Sequence, residues 1–234
     1  MNGELAARIA GGIFWSLLTL LVFRAARRLH RRFPRPWLAP LVVTPVVVGL
    51  AIVATGAGYR RYFAGTSWLV WMLGPATVAF AVPIYEQRAL IRAHWPVLLV
   101  AMLAGSATAM VSSWWLASLL GLDGSLRLSL LPRSISTPFA MEVSQAFGGV
   151  PSLTAVFVVL TGLLGAALGD ALIAYTRVRA PLARGAMFGI AAHAIGTARA
   201  VQIGQREGAI AGLTMVLTGL LNLLAAPLLL PLLR

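Results

Sequence analysis

Residues 185–207 read GAMFGIAAHAIGTARAVQIGQRE, a near-apolar stretch that carries His193, Gly196, Thr197 and Arg199 through its middle. A solvated loop is not this apolar. Arg177, Arg179 and Arg184 frame the stretch on one side, Arg206 and Glu207 stand on the other, and a long apolar tail follows. The stretch therefore belongs at membrane depth. Polar and ionisable groups there cost roughly 2.5–3.5 kcal/mol each, so they face a protein interior or a wet cavity, and a functional site is the default expectation.

The rest of the chain fits that placement. Of its 234 residues, 59% are hydrophobic and only 11% are charged, which sets it apart from the soluble average and marks an integral membrane protein. Nineteen basic residues against six acidic ones would suggest nucleic acid in a soluble chain. Here the arginines flank apolar runs, where they orient helices instead, and nucleic-acid binding is set aside. The absence of cysteine excludes disulfides and thiolate chemistry. The first apolar run is followed by arginines and not by a small-residue cleavage site, so it is expected to be a retained helix.

Taken in order, an apolar helix is expected over Leu5–Phe23, ended by the arginine-rich RAARRLHRRFPRP. Residues 24–36 read as a basic cytoplasmic loop by the positive-inside rule, or as an amphipathic surface helix with Leu29 and Phe33 on one side. Trp37–Gly56 is long enough to cross a hydrocarbon core about 30 Å thick, and Pro45 is a candidate kink. Trp95–Leu120, Ser152–Tyr175 and Gly208–Leu233 read as plain crossings. Two other stretches resemble the first in being interrupted. SWLVWMLGPATVAFAVPIY, Ser67–Tyr85, holds Gly74-Pro75 at its centre, and LRLSLLPRSISTPFAMEVSQAFGGVP, from Leu126, holds Pro132 and Pro138. Proline removes a backbone donor and clashes with the preceding turn, so such segments read as half-helices or re-entrant loops. The expected fold is all-α and integral to the membrane. About seven or eight transmembrane segments form one polytopic domain, counting the discontinuous helices.

An internal repeat links these segments. VLTGLL occurs at 159–164 and again at 216–221, each time after a segment of similar design. ISTPFAMEVSQ from Ile135 and IGTARAVQIGQ from Ile195 both place Thr third and Gln eleventh, and LGPATVAFAVP from Leu73 has the same character. Repeats built on discontinuous helices are a transporter signature, because unwound backbone at mid-membrane offers amides and helix dipoles to a solute. Exposed amides in lipid are costly, so the breaks mark a cavity; the plainer alternative is that Gly and Pro only kink these helices. The paired glycines 165/169, 185/189 and 208/212 permit close helix contact and read as intramolecular packing.

LGPATVAFAVP, LPRSISTPFAMEVSQAFGG, LTAVFVVLTGLLGAALGD and GIAAHAIGTARAVQIGQREGAIAGL closely resemble the LrgB/CidB family, over about Ser67–Leu233. The first sixty or so residues carry no diagnostic motif. The resemblance implies two different things. Bacterial members look like antiholin-like proteins that modulate murein hydrolase activity and lysis together with a smaller LrgA-type membrane partner. Plant relatives, including the plastid glycolate and glycerate transporter, are solute carriers, and bacterial relatives are linked to pyruvate and similar acids. Either role implies a multi-pass protein of the cell inner (plasma) membrane.

The residues favour the carrier. A small carboxylate needs a cation or several N–H donors, which an arginine fork beside a helix N-terminus supplies. Arg199, after an expected break at Gly196-Thr197 that would present backbone amides and a hydroxyl beside the guanidinium, is the leading candidate, and its change to Gln is expected to stop carboxylate movement. Arg133, before Ser136 and Thr137, forms a similar half-site, and Gly74 with Thr77 adds an uncharged wall. Either arginine is alternatively a structural partner of Glu142, which otherwise serves as a proton carrier. His193 and Thr197, spaced i, i+4, read as hydrogen-bond donors to solute or as an interhelical bond, not as a metal site. Asp170 and Glu207, near basic clusters, read as salt partners. No metal and no cofactor are implied, homo-oligomerisation stays open, and the absence of HExxH and GxSxG argues against an intramembrane enzyme.

Overall fold

The computed structural model describes residues 2–33, 38–79 and 81–233; the side chains of 2–9, 73, 76, 77, 83, 232 and 233 also lie outside the described set. Every regular element among the described residues is an α-helix. Four helices have the length and apolarity of membrane spans, joined by shorter apolar ones. The chain divides into two compact units, Met1–Ala76 and Thr77–Arg234.

In the first unit, α1 runs Asn2–Arg32, α2 Pro40–Thr55 and α3 Gly58–Trp71. The arginine-rich residues 24–32 thus extend α1 and do not form a loop, while 34–37 lie outside the described residues. Arg, Ala and Leu are good helix formers, and the basic residues His30, Arg31 and Arg32 in the last turn offset the helix dipole. α1 and α3 meet where Gly12 faces Gly65: a Cβ on Gly65 would come within 2.7 Å of the Gly12 Cα. That approach lets Ser16 donate to the Gly65 carbonyl at 2.8 Å and accept from the Trp68 indole at 2.9 Å. Without a hydrophobic drive between helices in lipid, such close packing and hydrogen bonding hold them together.

The Ser67–Tyr85 stretch is divided at Met72 and not at the expected Gly74-Pro75, and Met72 keeps right-handed torsions (φ −67°, ψ −13°) with its N–H bonded to the Trp68 carbonyl. α3 ends at Trp71, α4 (Leu73–Ala79) begins two residues later, and α5 (Ala81–Glu86) follows. Pro75 therefore sits in the first turn of α4, where its missing donor matters least.

In the second unit, α6 (Arg88–Leu119) is a long crossing bent at His94 (φ −126°, ψ 16°). Pro96 lies two residues on and cannot bond to the carbonyl four residues before it. Next come the short α7 (Gly124–Leu130), an irregular turn over 131–136, α8 (Thr137–Phe147) and α9 (Pro151–Thr176). The chain ends in α10 (Pro181–Ile203) and α11 (Gln205–Leu233).

α9 is about 39 Å long at 1.5 Å per residue, enough to cross a bilayer core. Leu160, Leu164 and Leu168 stand exposed on one side of it, as a lipid-facing stripe would. Gly162, Gly165 and Gly169 make up its packed side, against His193, Ala192 and Phe188 respectively. As the α9 numbers fall the α10 numbers rise, so the first part of α10 runs antiparallel to α9.

α10 then reverses. His193 has φ 40° and ψ −127°, outside any helix. A Cβ on Gly196 would run into the Phe188 carbonyl oxygen, eight residues back. In a straight helix those positions lie about 12 Å apart along the axis. Residues 194–203 therefore fold back along 181–192. The contacts with α11 agree: Gly185 meets Ile210 and Gly189 meets Thr214, a parallel register, whereas Val201 meets Gly208 and Thr197 meets Gly212, an antiparallel one. The arms are about 18 and 15 Å long, too short to cross a core about 30 Å thick. α10 is thus a hairpin that enters beside the C-terminal end of α9 and turns near its middle.

The stretch over α7 and α8 is also a hairpin, the first in chain order where α10 is the second, and it enters from the other end. Ser129 of α7 and Ser144 of α8 lie together on Thr154 near the start of α9: the Thr154 hydroxyl is 3.0 Å from the Ser129 carbonyl and 2.7 Å from the Ser144 hydroxyl. Between them the chain dips, so that Arg133 reaches Thr161, about two turns deeper along α9. Leu131, Ile135 and Phe139 at this turn form one buried cluster with Val158 of α9 and Ala226 of α11.

Candidate functional site

The two turns converge on one face of α9. His193, 2% exposed, has its Nε2 2.9 Å from the Val158 carbonyl oxygen. Arg133 donates through Nε to the Ser113 hydroxyl of α6 at 2.7 Å and through NH1 to Thr161 Oγ1 at 3.4 Å. Val158, Thr161 and Gly162 are spaced i, i+3, i+4 and so share a face. Gly162 leaves room for the imidazole, because a Cβ there would sit 2.6 Å from His193 Cε1.

A non-glycine residue at φ 40° is strained, typically by about 1–3 kcal/mol, and persists only where its surroundings enforce it. At an ordinary helical position Ala is favoured over Gly by about 1 kcal/mol. At 193 the order is expected to reverse. His193→Ala keeps the strain and loses the Val158 bond, while His193→Gly loses the bond and relieves the strain. Thermal unfolding of the two purified variants checks this, with the Gly variant the more stable.

The structure does not gather every candidate around this point. Arg199 lies on the returning arm of α10, where Nε is 2.9 Å from both Asp170 carboxylate oxygens and NH1 is 2.7 Å from Gln202 Oε1. Asp170, read above as a salt partner, has that role, as does Glu207, 4.0 Å from Arg184. Glu142, weighed as a partner for either arginine, is exposed on α8 and pairs with neither among the described residues. Gly196 is not the break in α10. It is the buried contact that lets the arms close, and the break comes three residues earlier. His193 and Thr197 therefore do not share an unbroken helical face; Thr197 lies on the returning arm with Oγ1 3.8 Å from Met215 Sδ.

At the first hairpin, Ser136 is the N-cap residue of α8 but makes no capping bond, and its hydroxyl is buried without a partner among the described residues. Thr137 opens the helix beside it, partly buried. On α11 the Thr218 hydroxyl is likewise buried and unpartnered, next to Gly219, which carries the Phe139 ring. The Thr77 side chain lies outside the described residues, and Gly74 falls in the other unit.

Ser113, Thr161 and the Val158 carbonyl were not among the sequence candidates. A signal existed for Thr161: it is the polar residue of the repeated VLTGLL, set in an otherwise apolar crossing. Nothing in the described residues groups His, Cys, Asp or Glu as a metal site would.

No solved structure matches the chain. Its sequence does find relatives. It is 40% identical over 219 residues to the uncharacterized protein YwbG of Bacillus subtilis (strain 168), covering 94% of this chain and 97% of that one. It is 36% identical to YxaC of the same strain, covering 91% of this chain and 92% of that one. Against the holin-like protein CidB of Staphylococcus aureus (strain Mu50 / ATCC 700699) identity is 30%, covering 91% of this chain and 93% of the other. The LrgB-like family matches residues 19–232, reaching back across the segment that carried no diagnostic motif. An all-helical membrane chain with this motif order and nearly full-length coverage by the family belongs to the LrgB-like family.

Proposed function

We propose that this chain carries small monocarboxylates, of the size of glycolate, glycerate or pyruvate, across the cell inner (plasma) membrane. The observation that supports it is the pair of half-length hairpins entering from opposite ends of α9 and turning against its middle. Such turns expose backbone ends and hydroxyls at a depth where lipid offers them no partner, so they line a solute site. The spacing that pairs Ile135–Gln145 with Ile195–Gln205, and one VLTGLL with the other, is read as an inverted repeat in which each half supplies one hairpin and one crossing. By that pairing Arg133 stands where the other half has His193. Arg184 pairs with Glu207 where α10 and α11 begin, Arg177, Arg179 and Arg206 adjoin them in sequence, and Arg88 and Arg92 flank Leu90, which packs in one cluster with Leu182; the positive-inside rule makes that end cytoplasmic. Glu142, exposed on α8, is the proposed proton carrier if transport is proton-coupled.

The staphylococcal relative is a holin-like protein, which favours a second reading; with what the family resemblance implies, that reading is a membrane protein that regulates murein hydrolase export and lysis, with a small LrgA-like membrane partner or as a homo-oligomer. Uptake of labelled glycolate or pyruvate into proteoliposomes separates the two. The carrier reading expects saturable uptake with a large entrapped dye retained. Dye release without saturable uptake rejects it.

A further inference from the structure

We infer that Arg133 is the anion-binding group of this site and takes a single carboxylate, and that the Asp170–Arg199 pair is not part of it. The inference rests on the carrier reading for its substrate class, but on geometry for the residue.

A guanidinium at membrane depth is ordinarily matched by a carboxylate. Among the described residues the ion pairs join Arg127 to Asp123, Arg184 to Glu207 and Arg199 to Asp170; none includes Arg133. Arg133 is held instead by two neutral hydroxyls, Ser113 from α6 and Thr161 from α9. They fix the direction of the fork and leave its charge uncompensated. Its remaining nitrogen, NH2, has no hydrogen bond among the described residues, and the residue is only partly buried. Three residues further on, the unpartnered hydroxyl of Ser136, 3% exposed, marks the start of α8, where helix-end amides favour negative charge. A charge without a counter-ion, an idle buried donor and a helix N-terminus thus occur within one turn of chain. The matching position of the other hairpin offers a histidine already bonded to Val158, so the site holds one fixed positive charge and suits a monovalent acid.

The prediction is that a built-in carboxylate replaces the ligand. Thermal unfolding of the purified full-length protein is followed while sodium pyruvate or glycolate is titrated at constant ionic strength. Wild type is expected to unfold at a rising midpoint. Thr161→Asp and, from a different helix, Ser113→Asp are each expected to unfold no earlier than wild type without ligand and to bind the acid at least about tenfold more weakly, the factor a charge-assisted hydrogen bond carries. Thr161→Val, which adds no charge, keeps a measurable response, and Arg199→Gln keeps the wild-type one. A merely structural arginine would not trade stability for binding in this way. The inference is overturned if wild type shows no anion-dependent rise, if both aspartate variants titrate like wild type or unfold earlier, or if Arg199→Gln abolishes the response. Anion-dependent stabilisation without proteoliposome uptake upholds the inference and rejects the carrier; uptake without stabilisation rejects the inference alone.

Discussion

Gly196→Val is expected to leave no folded second hairpin. The two arms of α10 touch backbone to backbone here, and even a methyl group would collide with the Phe188 carbonyl oxygen and lie 2.6 Å from the Ala192 Cβ. Overpacking costs about 1–3 kcal/mol where neighbouring side chains can rotate away. A carbonyl in a helix cannot rotate away, and the opposite side of the same arm is already committed to α11, where Thr197 and Val201 meet Gly212 and Gly208. The expected readout is loss of the monodisperse, thermally cooperative protein. Ala198→Val, exposed on the same arm, is the control and should unfold like wild type.

The second large effect falls on transport. Arg133→Gln keeps hydrogen-bonding capacity toward Ser113 and Thr161 but removes the charge. Hydrogen bonds to charged groups contribute about 1.5–3 kcal/mol, so uptake of glycolate or pyruvate at subsaturating concentration should fall by about 10- to 100-fold. Stability should hold or rise, since an unpaired cation has been taken out of an apolar setting. Initial uptake rates in proteoliposomes, normalised to folded protein, check this. Uptake within about twofold of wild type would remove Arg133 from the site.

Much of this architecture was legible because its signals are local. Pro132 and Pro138 announce the first interruption, the long apolar runs announce α6, α9 and α11, and the spaced glycines announce the seams along which α10 packs. The reversal at His193 was not legible, since neither Gly nor Pro stands there and a histidine in an apolar run reads as part of a helix. Its trace is displaced to Gly196, which looked like the break and is in fact the clearance that the returning arm needs. Partner choice was similarly hidden. Arg133 and Arg199 look alike in sequence, and only the packing decides between them: α10 on α9 sets Asp170 beside Arg199, while the 131–136 turn against α6 and α9 sets hydroxyls beside Arg133. The arginine-rich end of α1 was misread for the converse reason: charge suggested a loop, whereas the helix propensity of Arg, Ala and Leu carries the helix through it.

The short arms of the hairpins also bear on electrical behaviour. In the proposed carrier, a hairpin that stops halfway leaves less than a full bilayer thickness of protein and lipid beyond its turn wherever water reaches that turn. A membrane voltage then drops mainly across the narrow layer around Arg133 and His193. Moving one elementary charge through that layer is worth about 2.3 kcal/mol per 100 mV. If the proposed carrier moves an anion there, that anion meets most of the voltage in a single short step, and the rate of that step should carry the voltage dependence.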